Sequence, residues 1–251
     1  MSDVQIAKEM GLIDQLFTYP CISNFMNRED ITNILKNLIK LSSTPLKEIE
    51  TTFAVDSSGF STCRFARYYS FKHQKDLKYR MWIKAHVISG VKTNIITSVE
   101  VTRGESNDSP QLPRLVQECS KNFALSEVVC DKAYLSKGNF KAIEEVGAIP
   151  FIPFKSNSNA KSREKGTSSL WRKMYYYFMY KHDEFKEHYH QRSNVETCFH
   201  MIKTKFKDNL RSKNKVGQVN ELLLKILCHN ICVVIQEVNE LGIKGEFIYE
   251  K

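Results

Sequence analysis

The chain has 251 residues, of which 42% are hydrophobic and 26% are charged, the composition of an ordinary globular protein. It has no run of about 18 apolar residues and no basic stretch followed by an apolar core, so the sequence predicts neither a membrane span nor a secretory signal, and a cytoplasmic location is expected. Seven scattered cysteines lack the spacing of zinc sites and are interpreted as reduced core residues.

Positive charge is concentrated in one quarter of the chain. Residues 151–215 contain 15 Lys or Arg against 6 Asp or Glu, whereas the other residues contain 22 of each. A localised basic segment suits a polyanionic partner, because each neutralised phosphate releases condensed counterions. Charge alone does not decide between a segment that binds a polyanion and a solvated, mobile loop.

The first fifty residues are expected to form a short helical N-terminal segment. Apolar residues recur every three or four positions over 3–18 and 28–43, which predicts two amphipathic helices. Asn27 suits the N-cap of the second helix, because its side chain can accept a backbone N–H of the first turn. The Tyr-Pro-Cys sequence at 19–21 is expected to separate the two helices.

After residue 50 the pattern alternates between short apolar strands and amphipathic helices. Strands are predicted at 53–56, 79–89, 94–101, 127–131 and 148–153. Helices are predicted at 109–123, 136–146, 168–180, 187–207 and 218–240, with a polar loop at 154–167.

This order of elements predicts a mixed α/β architecture in which a sheet is flanked by helices and its first three strands form a meander. Residues 51–240 would form one domain, followed by a tail at 241–251. Asp56 and Asp131 each end a short apolar strand. Either acid alone is more often a turn residue, but ligand sites in open α/β sheets lie at the carboxyl ends of strands, which makes the pair a candidate site.

A third acid, Glu196, lies on the predicted helix 187–207. At about 100° per residue, Tyr189, Arg192, Glu196 and Lys203 fall in one narrow stripe beside an apolar flank. By default, Arg192 and Glu196 at this spacing form a surface ion pair. The two upstream acids favour a functional interpretation of the stripe.

The spacing Tyr189-x2-Arg192-x3-Glu196-x6-Lys203 matches the Y-R-E-K signature of one large branch of bacterial and archaeal insertion-sequence transposases of the DDE type. It follows Ala-Val-Asp56-Ser-Ser-Gly-Phe and Val-Val-Cys-Asp131-Lys-Ala-Tyr, which resemble the first and second acidic motifs of that family. Residues 102–109 also resemble the family's stretch after the third strand. The resemblance covers roughly residues 50–235 and implies a ribonuclease H-like fold.

The resemblance implies DNA cleavage at transposon ends and strand transfer into target DNA. Asp56, Asp131 and Glu196 would hold two Mg²⁺ ions, for which Mn²⁺ can substitute, because hard divalent cations prefer carboxylate oxygen. Arg192 and Lys203 would bind DNA phosphates, and Tyr189 would orient a phosphate or stack on a base. The implied partners are double-stranded DNA, as terminal inverted repeats and target, and a second copy in a homodimer on DNA, in a nucleoid-associated cytoplasmic location.

Two alternative functions stay open. A related ribonuclease H-like metal nuclease would share the acids without needing the Tyr-Arg-Glu-Lys spacing. A truncated or domesticated copy would bind DNA without cutting it. The short N-terminus fits this alternative, because only about fifty residues precede Asp56, whereas related transposases usually have a longer N-terminal region, often with a helix-turn-helix.

Three further features are interpreted individually. Asp108 competes weakly for the second metal position. Trp171 is a weak candidate for stabilising a flipped base, and the aromatic residues 175–180 are predicted to serve helix packing.

Overall fold

A computed structural model describes residues 8–11, 18–62, 82–158, 160 and 169–245. Most of the predicted helix 3–18, the start of the predicted strand 79–89 and most of the loop 154–167 lie outside these residues. The strands are β1 (Thr52–Ser61), β2 (Trp82–Gly90), β3 (Ile96–Arg103), β4 (Glu127–Cys130) and β5 (Ile149–Phe151). The helices are α1 (Tyr19–Met26), α2 (Glu29–Ser43), α3 (Leu112–Ser120), α4 (Lys137–Glu145), α5 (Ser169–Tyr180), α6 (His182–His190), α7 (Ser193–Phe206) and α8 (Lys215–Leu241).

The five strands form one mixed sheet in the order β3-β2-β1-β4-β5. β1, β2 and β3 pair antiparallel as the predicted meander, and β4 and β5 continue the sheet parallel to β1. Helices cover the sheet, and the architecture is an α/β fold of the ribonuclease H-like kind, which confirms the predicted fold class.

Alternate side chains of β1 pack into two separate hydrophobic cores, one on each face of the sheet. Phe53 and Val55 point to the face covered by α3, α4, α5 and α6, where they join a buried apolar cluster. Ala54 and Phe60 point to the opposite face and pack with apolar residues of α2, α7 and α8. The pleat therefore places Asp56 and Ser58 on the same face as α7.

The N-terminal segment differs from its prediction in two details. Residues 19–21 begin α1 instead of breaking the chain, because Pro20 lies in the first turn, where its missing N–H costs no helical hydrogen bond. Asn27 ends α1 and does not cap α2; Arg28 precedes α2 without a side-chain cap. Ile31 and Leu35 of α2 are buried in the core shared with α7 and α8, so α2 packs into the body of the domain.

The predicted helix 187–207 is two helices. α6 ends at His190, α7 begins at Ser193, and the backbone between them is joined by hydrogen bonds three residues apart, from Arg192 N to Tyr189 O (3.0 Å) and from Val195 N to Arg192 O (3.2 Å). These tighter 3₁₀-type bonds join the two helices without a loop.

One helix among the described residues, α8, is long and apolar enough to cross a membrane by length and composition alone. Its most apolar window has a mean hydropathy of 1.4, and 56% of that window is buried inside the protein. A core helix has the same two properties, and α8 supplies Leu222, Leu223 and Ile226 to the second core. The six described cysteines are free. Cys119, Cys130 and Cys198 are buried as predicted, whereas Cys21 is exposed and Cys228 and Cys232 are only partly buried.

Candidate active site

Asp56 lies at the centre of the sheet, on the strand shared by the antiparallel and parallel halves. It is the first polar residue after three fully buried ones, Phe53, Ala54 and Val55. Its Oδ1 accepts a hydrogen bond from the backbone N–H of Ser57 at 2.7 Å, which fixes the orientation of the carboxylate. The side chain of Asp56 is 23% exposed.

Asp131 is brought beside Asp56 by the register of the parallel strands. Val55 of β1 pairs with Cys130, the last residue of β4, so the two acids follow one step later on neighbouring strands. Neighbouring strands lie about 4.8 Å apart. The Asp131 carboxylate accepts the backbone N–H of Lys132 at 2.6 Å and caps the short 3₁₀ helix Lys132–Tyr134. The strand register therefore brings the two acids beside each other at the carboxyl end of β4. Asp56 does not end its strand as the sequence predicted, because β1 continues to Ser61.

Glu196 approaches Asp56 from α7. The helix is held against the sheet by the buried side chains of Val195, Phe199 and Ile202, which leaves Glu196 on its outer flank with 56% of its side chain exposed. Arg192 lies between the acids: its Nη1 is 3.3 Å from Asp56 Oδ2, and its Nη2 is 2.5 Å from Glu196 Oε1. One guanidinium thus links an acid of the sheet to an acid of the helix.

Lys203 lies farther along the same interface between α7 and β1. Its Nζ donates to the Ser58 hydroxyl at 2.7 Å and stands 5.3 Å from the centre of the Phe60 ring. Asp56 and Ser58 are alternate residues on one face of β1. Arg192, directly before α7, contacts Asp56, and Lys203, within α7, contacts Ser58. The strand and the helix therefore form a line of alternating carboxylate, cation and hydroxyl groups.

Tyr189 lies at the end of α6, across the junction from Arg192. Its ring centre is 6.0 Å from the guanidinium carbon of Arg192. Burial raises the pKa of the Tyr189 hydroxyl, the charge of Arg192 lowers it, and the charges of Asp131 and Glu196 add to the increase. Of the four residues predicted as one helical stripe, Arg192 contacts Glu196 and lies near Tyr189, whereas Lys203 lies farther along α7. Two helices and a 3₁₀ junction carry them, not the one helix that was predicted.

The carboxylates of the site act on one another electrostatically. Burial raises the pKa of Asp56, the N–H of Ser57 and the charge of Arg192 lower it, and the charges of Asp131 and Glu196 raise it further. The combined negative charge of the three acids exceeds the positive charge of Arg192, which contacts Asp56 and Glu196. Such a cluster of hard oxygen atoms can be neutralised by divalent cations.

The donor set fits a divalent cation, although the side chains are not yet arranged around one. Among the described residues, no three His, Cys, Asp or Glu side chains are grouped closely enough to hold a metal ion as they stand. The position between Asp56 and Glu196 nevertheless already accommodates a positive charge, that of Arg192. The carboxylate oxygens are ligands that Mg²⁺ and Mn²⁺ prefer, and the guanidinium between two of them shows that the position accepts a positive charge.

Asp108 is not grouped with the three acids. Its Oδ1 pairs with Lys84 Nζ at 2.7 Å and lies 3.6 Å from Nδ1 of the fully buried His86. His86 pairs with Ser57 across the strands, so it belongs to the sheet face opposite Asp56. The structure gives Asp108 a partner of its own and does not support it as a metal ligand.

The aromatic residues near the basic segment mostly pack in the core. Trp171 is 7% exposed and lies between Phe140 and Phe154, with ring centres 4.8 and 5.0 Å away, so it has no free face for a base. Of residues 175–180, three pack against the core as predicted, namely Tyr175, Tyr177 and Phe178. Tyr176 and Tyr180 are exposed and stack on each other.

One residue close to the site was not singled out from the sequence. Tyr134 is 1% exposed, and burial raises the pKa of its hydroxyl, with further increases from the charges of Cys130, Asp108 and Asp56. It ends the 3₁₀ helix that Asp131 caps. The signal available in the sequence was its position three residues after Asp131, an aromatic residue in a polar turn.

Comparisons with known proteins agree with this geometry. No curated protein matches the chain. The model of one family, the transposase DDE domain, matches residues 47–231, nearly three quarters of the chain. The matched span begins just before β1, ends within α8 and includes Asp56, Asp131 and Glu196. The chain therefore belongs to the family of transposases that carry a DDE domain.

Proposed function

We propose that the protein is a DNA transposase that cleaves phosphodiester bonds at transposon ends and transfers the resulting 3′-hydroxyl strand into target DNA. The observation that carries this proposal is that the register of two adjacent parallel strands brings Asp56 beside Asp131, and that Arg192 bridges Asp56 to Glu196 of α7. Residues 51–240 would form the catalytic domain, and residues 1–50 a helical N-terminal segment.

The three carboxylates would hold two divalent cations, Mg²⁺ or Mn²⁺. When bound, such a pair supplies activation of the entering oxygen and stabilisation of the leaving oxygen in phosphodiester chemistry. Asp56, on the central strand, would hold the ions together with Asp131, which follows the adjacent strand β4, and Glu196, which Arg192 links to Asp56. The backbone N–H groups of Ser57 and Lys132 hold the two strand carboxylates in place.

The remaining residues of the site would bind and orient the DNA. Lys203 presents a cation along the face of β1, and its contact with the neutral Ser58 leaves its charge available to a phosphate. Arg192 has the planar fork that binds a phosphate through two hydrogen bonds. Tyr189, at the end of α6, would contact a phosphate or stack on a base near the cleaved bond. Terminal inverted repeats and target DNA are the proposed substrates, with a homodimer assembled on them in the nucleoid.

A cleavage and joining assay tests this function. Labelled duplexes carrying the native sequence that flanks the gene are incubated with Mg²⁺ or Mn²⁺ and with wild type, Glu196→Gln or Glu187→Gln. The control residue Glu187 is an exposed acid on α6. We expect metal-dependent nicking and strand transfer with wild type and Glu187→Gln, and neither with Glu196→Gln.

Other outcomes favour the alternatives. Nicking without strand-transfer products would indicate a metal nuclease. Duplex binding without cleavage in either metal would indicate a copy that only binds DNA. Cleavage that survives Glu196→Gln would remove Glu196 from the proposed acid set.

A further inference from the structure

We infer that Arg192 is an internal counter-ion that holds the place of a metal ion between Asp56 and Glu196, and that it must leave this place before the proposed acid set can close around divalent cations. The inference rests on the proposed function of the same site and adds its regulation: release of Arg192 makes metal binding and DNA binding dependent on each other.

The geometry of the guanidinium supports this role. Its two terminal nitrogens each contact a carboxylate, Asp56 at 3.3 Å and Glu196 at 2.5 Å, so one side chain bridges acids from two different elements. An ordinary helical ion pair between Arg192 and Glu196 would stay on the surface and involve no third group. Here the side chain of Arg192 is only 21% exposed, because it turns inward to reach Asp56.

The position of Arg192 in the chain allows it to move. It stands at the 3₁₀ junction before the first residue of α7, not in the middle of a helix. The Tyr189 ring, 6.0 Å from the guanidinium carbon, borders it on the other side. A rotation of the side chain about its own bonds can therefore move the guanidinium away from the acids while both helices stay in place.

Charge balance gives the direction of the coupling. A guanidinium and a divalent cation repel each other, so both cannot occupy the gap between the same two carboxylates. Once released, the Arg192 fork is free to bind a phosphate with two hydrogen bonds. Conversely, a phosphate that binds Arg192 removes the competitor from Asp56 and Glu196. The two binding events must then strengthen each other by the same factor.

The test measures Mn²⁺ binding to the full chain without DNA, by the electron paramagnetic resonance signal of free Mn²⁺. Wild type is compared with Arg192→Gln and with Lys205→Gln. The second variant also removes one positive charge, but from a residue inside α7 whose Nζ contacts Cys232 of α8, away from the site. We expect Arg192→Gln to bind Mn²⁺ roughly tenfold more tightly than wild type, and Lys205→Gln to differ from wild type by less than about threefold. Equal gains in both variants, or weaker binding by Arg192→Gln, would overturn the inference.

A second measurement uses wild type only, so it does not depend on whether a variant of the site folds. The Nε–H resonance of Arg192 in ¹⁵N-arginine-labelled wild type is followed during addition of Mg²⁺. Release from the carboxylates predicts a shift of this resonance that saturates together with Mg²⁺ binding. A resonance that stays unchanged at saturating Mg²⁺ contradicts the inference.

Failure of the inference and failure of the proposed function give different results. If wild type binds Mn²⁺, Asp131→Asn abolishes that binding, and Arg192→Gln binds like wild type, the acid set stands and only the counter-ion role is wrong. If neither wild type nor Arg192→Gln binds Mn²⁺, the acids do not form a metal site and the proposed function itself fails.

Discussion

Lys203 and Ser58 meet across the interface between α7 and β1, with the ammonium 2.7 Å from the hydroxyl. A hydroxyl does not neutralise a cation, so this lysine keeps its charge for an anionic ligand. We expect Lys203→Gln to weaken binding of a duplex about three- to tenfold and to reduce the slope of log affinity against log salt by about one. Fluorescence anisotropy over a salt series measures both quantities.

Lys205 provides the matched control for this experiment. It lies on the same helix, but its Nζ contacts Cys232 of α8. Lys205→Gln should leave the salt slope close to that of wild type. A similar loss in both variants would show that the helix binds DNA through its overall charge and that Lys203 has no special position.

Asp131 can be tested without disturbing the fold around it. Asparagine keeps an oxygen that can accept the N–H of Lys132, so Asp131→Asn should preserve the cap of the 3₁₀ helix Lys132–Tyr134. The loss of a proposed metal ligand should still reduce cleavage by at least about a hundredfold. Activity assays combined with thermal melting check both parts, with Asp183→Asn, an exposed acid of α6, as control. Full activity in Asp131→Asn would contradict its role.

The burial of Asp56 predicts a cost in stability. Its pKa in the folded protein is raised by burial above the ordinary value of 3.8, so the folded state binds the proton more tightly than the unfolded state. The contribution of Asp56 to stability is therefore fully present below pH 3.8 and decreases as the pH rises through the folded pKa. Asp56→Asn should raise the melting temperature at pH 7 without metal and change it little under acidic conditions.

Thermal melting at the two pH values measures this difference, with each kcal/mol corresponding to about 2–4 °C in a protein of this size. Addition of Mg²⁺ should stabilise wild type and not Asp56→Asn, because only the wild type has the full acid set. If Asp56→Asn is less stable than wild type at pH 7, the pairing with Arg192 outweighs burial.

Glu50 supports the turn between β2 and β3 from outside the site. It is fully buried, and its carboxylate accepts hydrogen bonds from Thr93 N at 2.6 Å, Thr93 Oγ1 at 2.8 Å and Lys92 N at 3.3 Å. Removing it leaves three donors without this acceptor, so Glu50→Ala should cost about 2–4 kcal/mol in the free energy of unfolding. Urea denaturation measures this cost.

The neighbouring Glu48 is the control, because its side chain is 86% exposed. Glu48→Ala should change the free energy of unfolding by less than about 0.5 kcal/mol. A loss in Glu50→Ala no larger than in Glu48→Ala would show that the turn holds without the buried carboxylate.

The sheet and its two acids could be predicted from the sequence because the signals are local. A run of buried apolar residues that ends in an acid marks both Asp56 and Asp131, and parallel pairing then brings them together. The break between α6 and α7 could not be predicted, since no Pro or Gly marks it and a 3₁₀ turn almost preserves the helical angle from Tyr189 to Arg192. The contact of Arg192 with Asp56 joins residues 136 positions apart and has no local signal.

Smaller errors have similar causes. The start of α1 was missed because Pro20 was treated as a helix breaker, although proline is tolerated in a first turn. Burial of Trp171 against Phe140 and Phe154 depends on packing between distant elements, which composition does not reveal.

The positions of β1, β4 and α7 along the chain also determine how late in synthesis the proposed site can be complete. β1 is complete at Ser61, but its parallel partner β4 begins at Glu127, and α7 begins at Ser193. At about 5–20 residues per second, a ribosome needs about 7 to 28 seconds between the first acid and the last. A nascent or prematurely terminated chain that stops before Glu196 carries both strand acids and no complete site. Under the proposed function, the chain could therefore cut DNA only after most of it has left the ribosome.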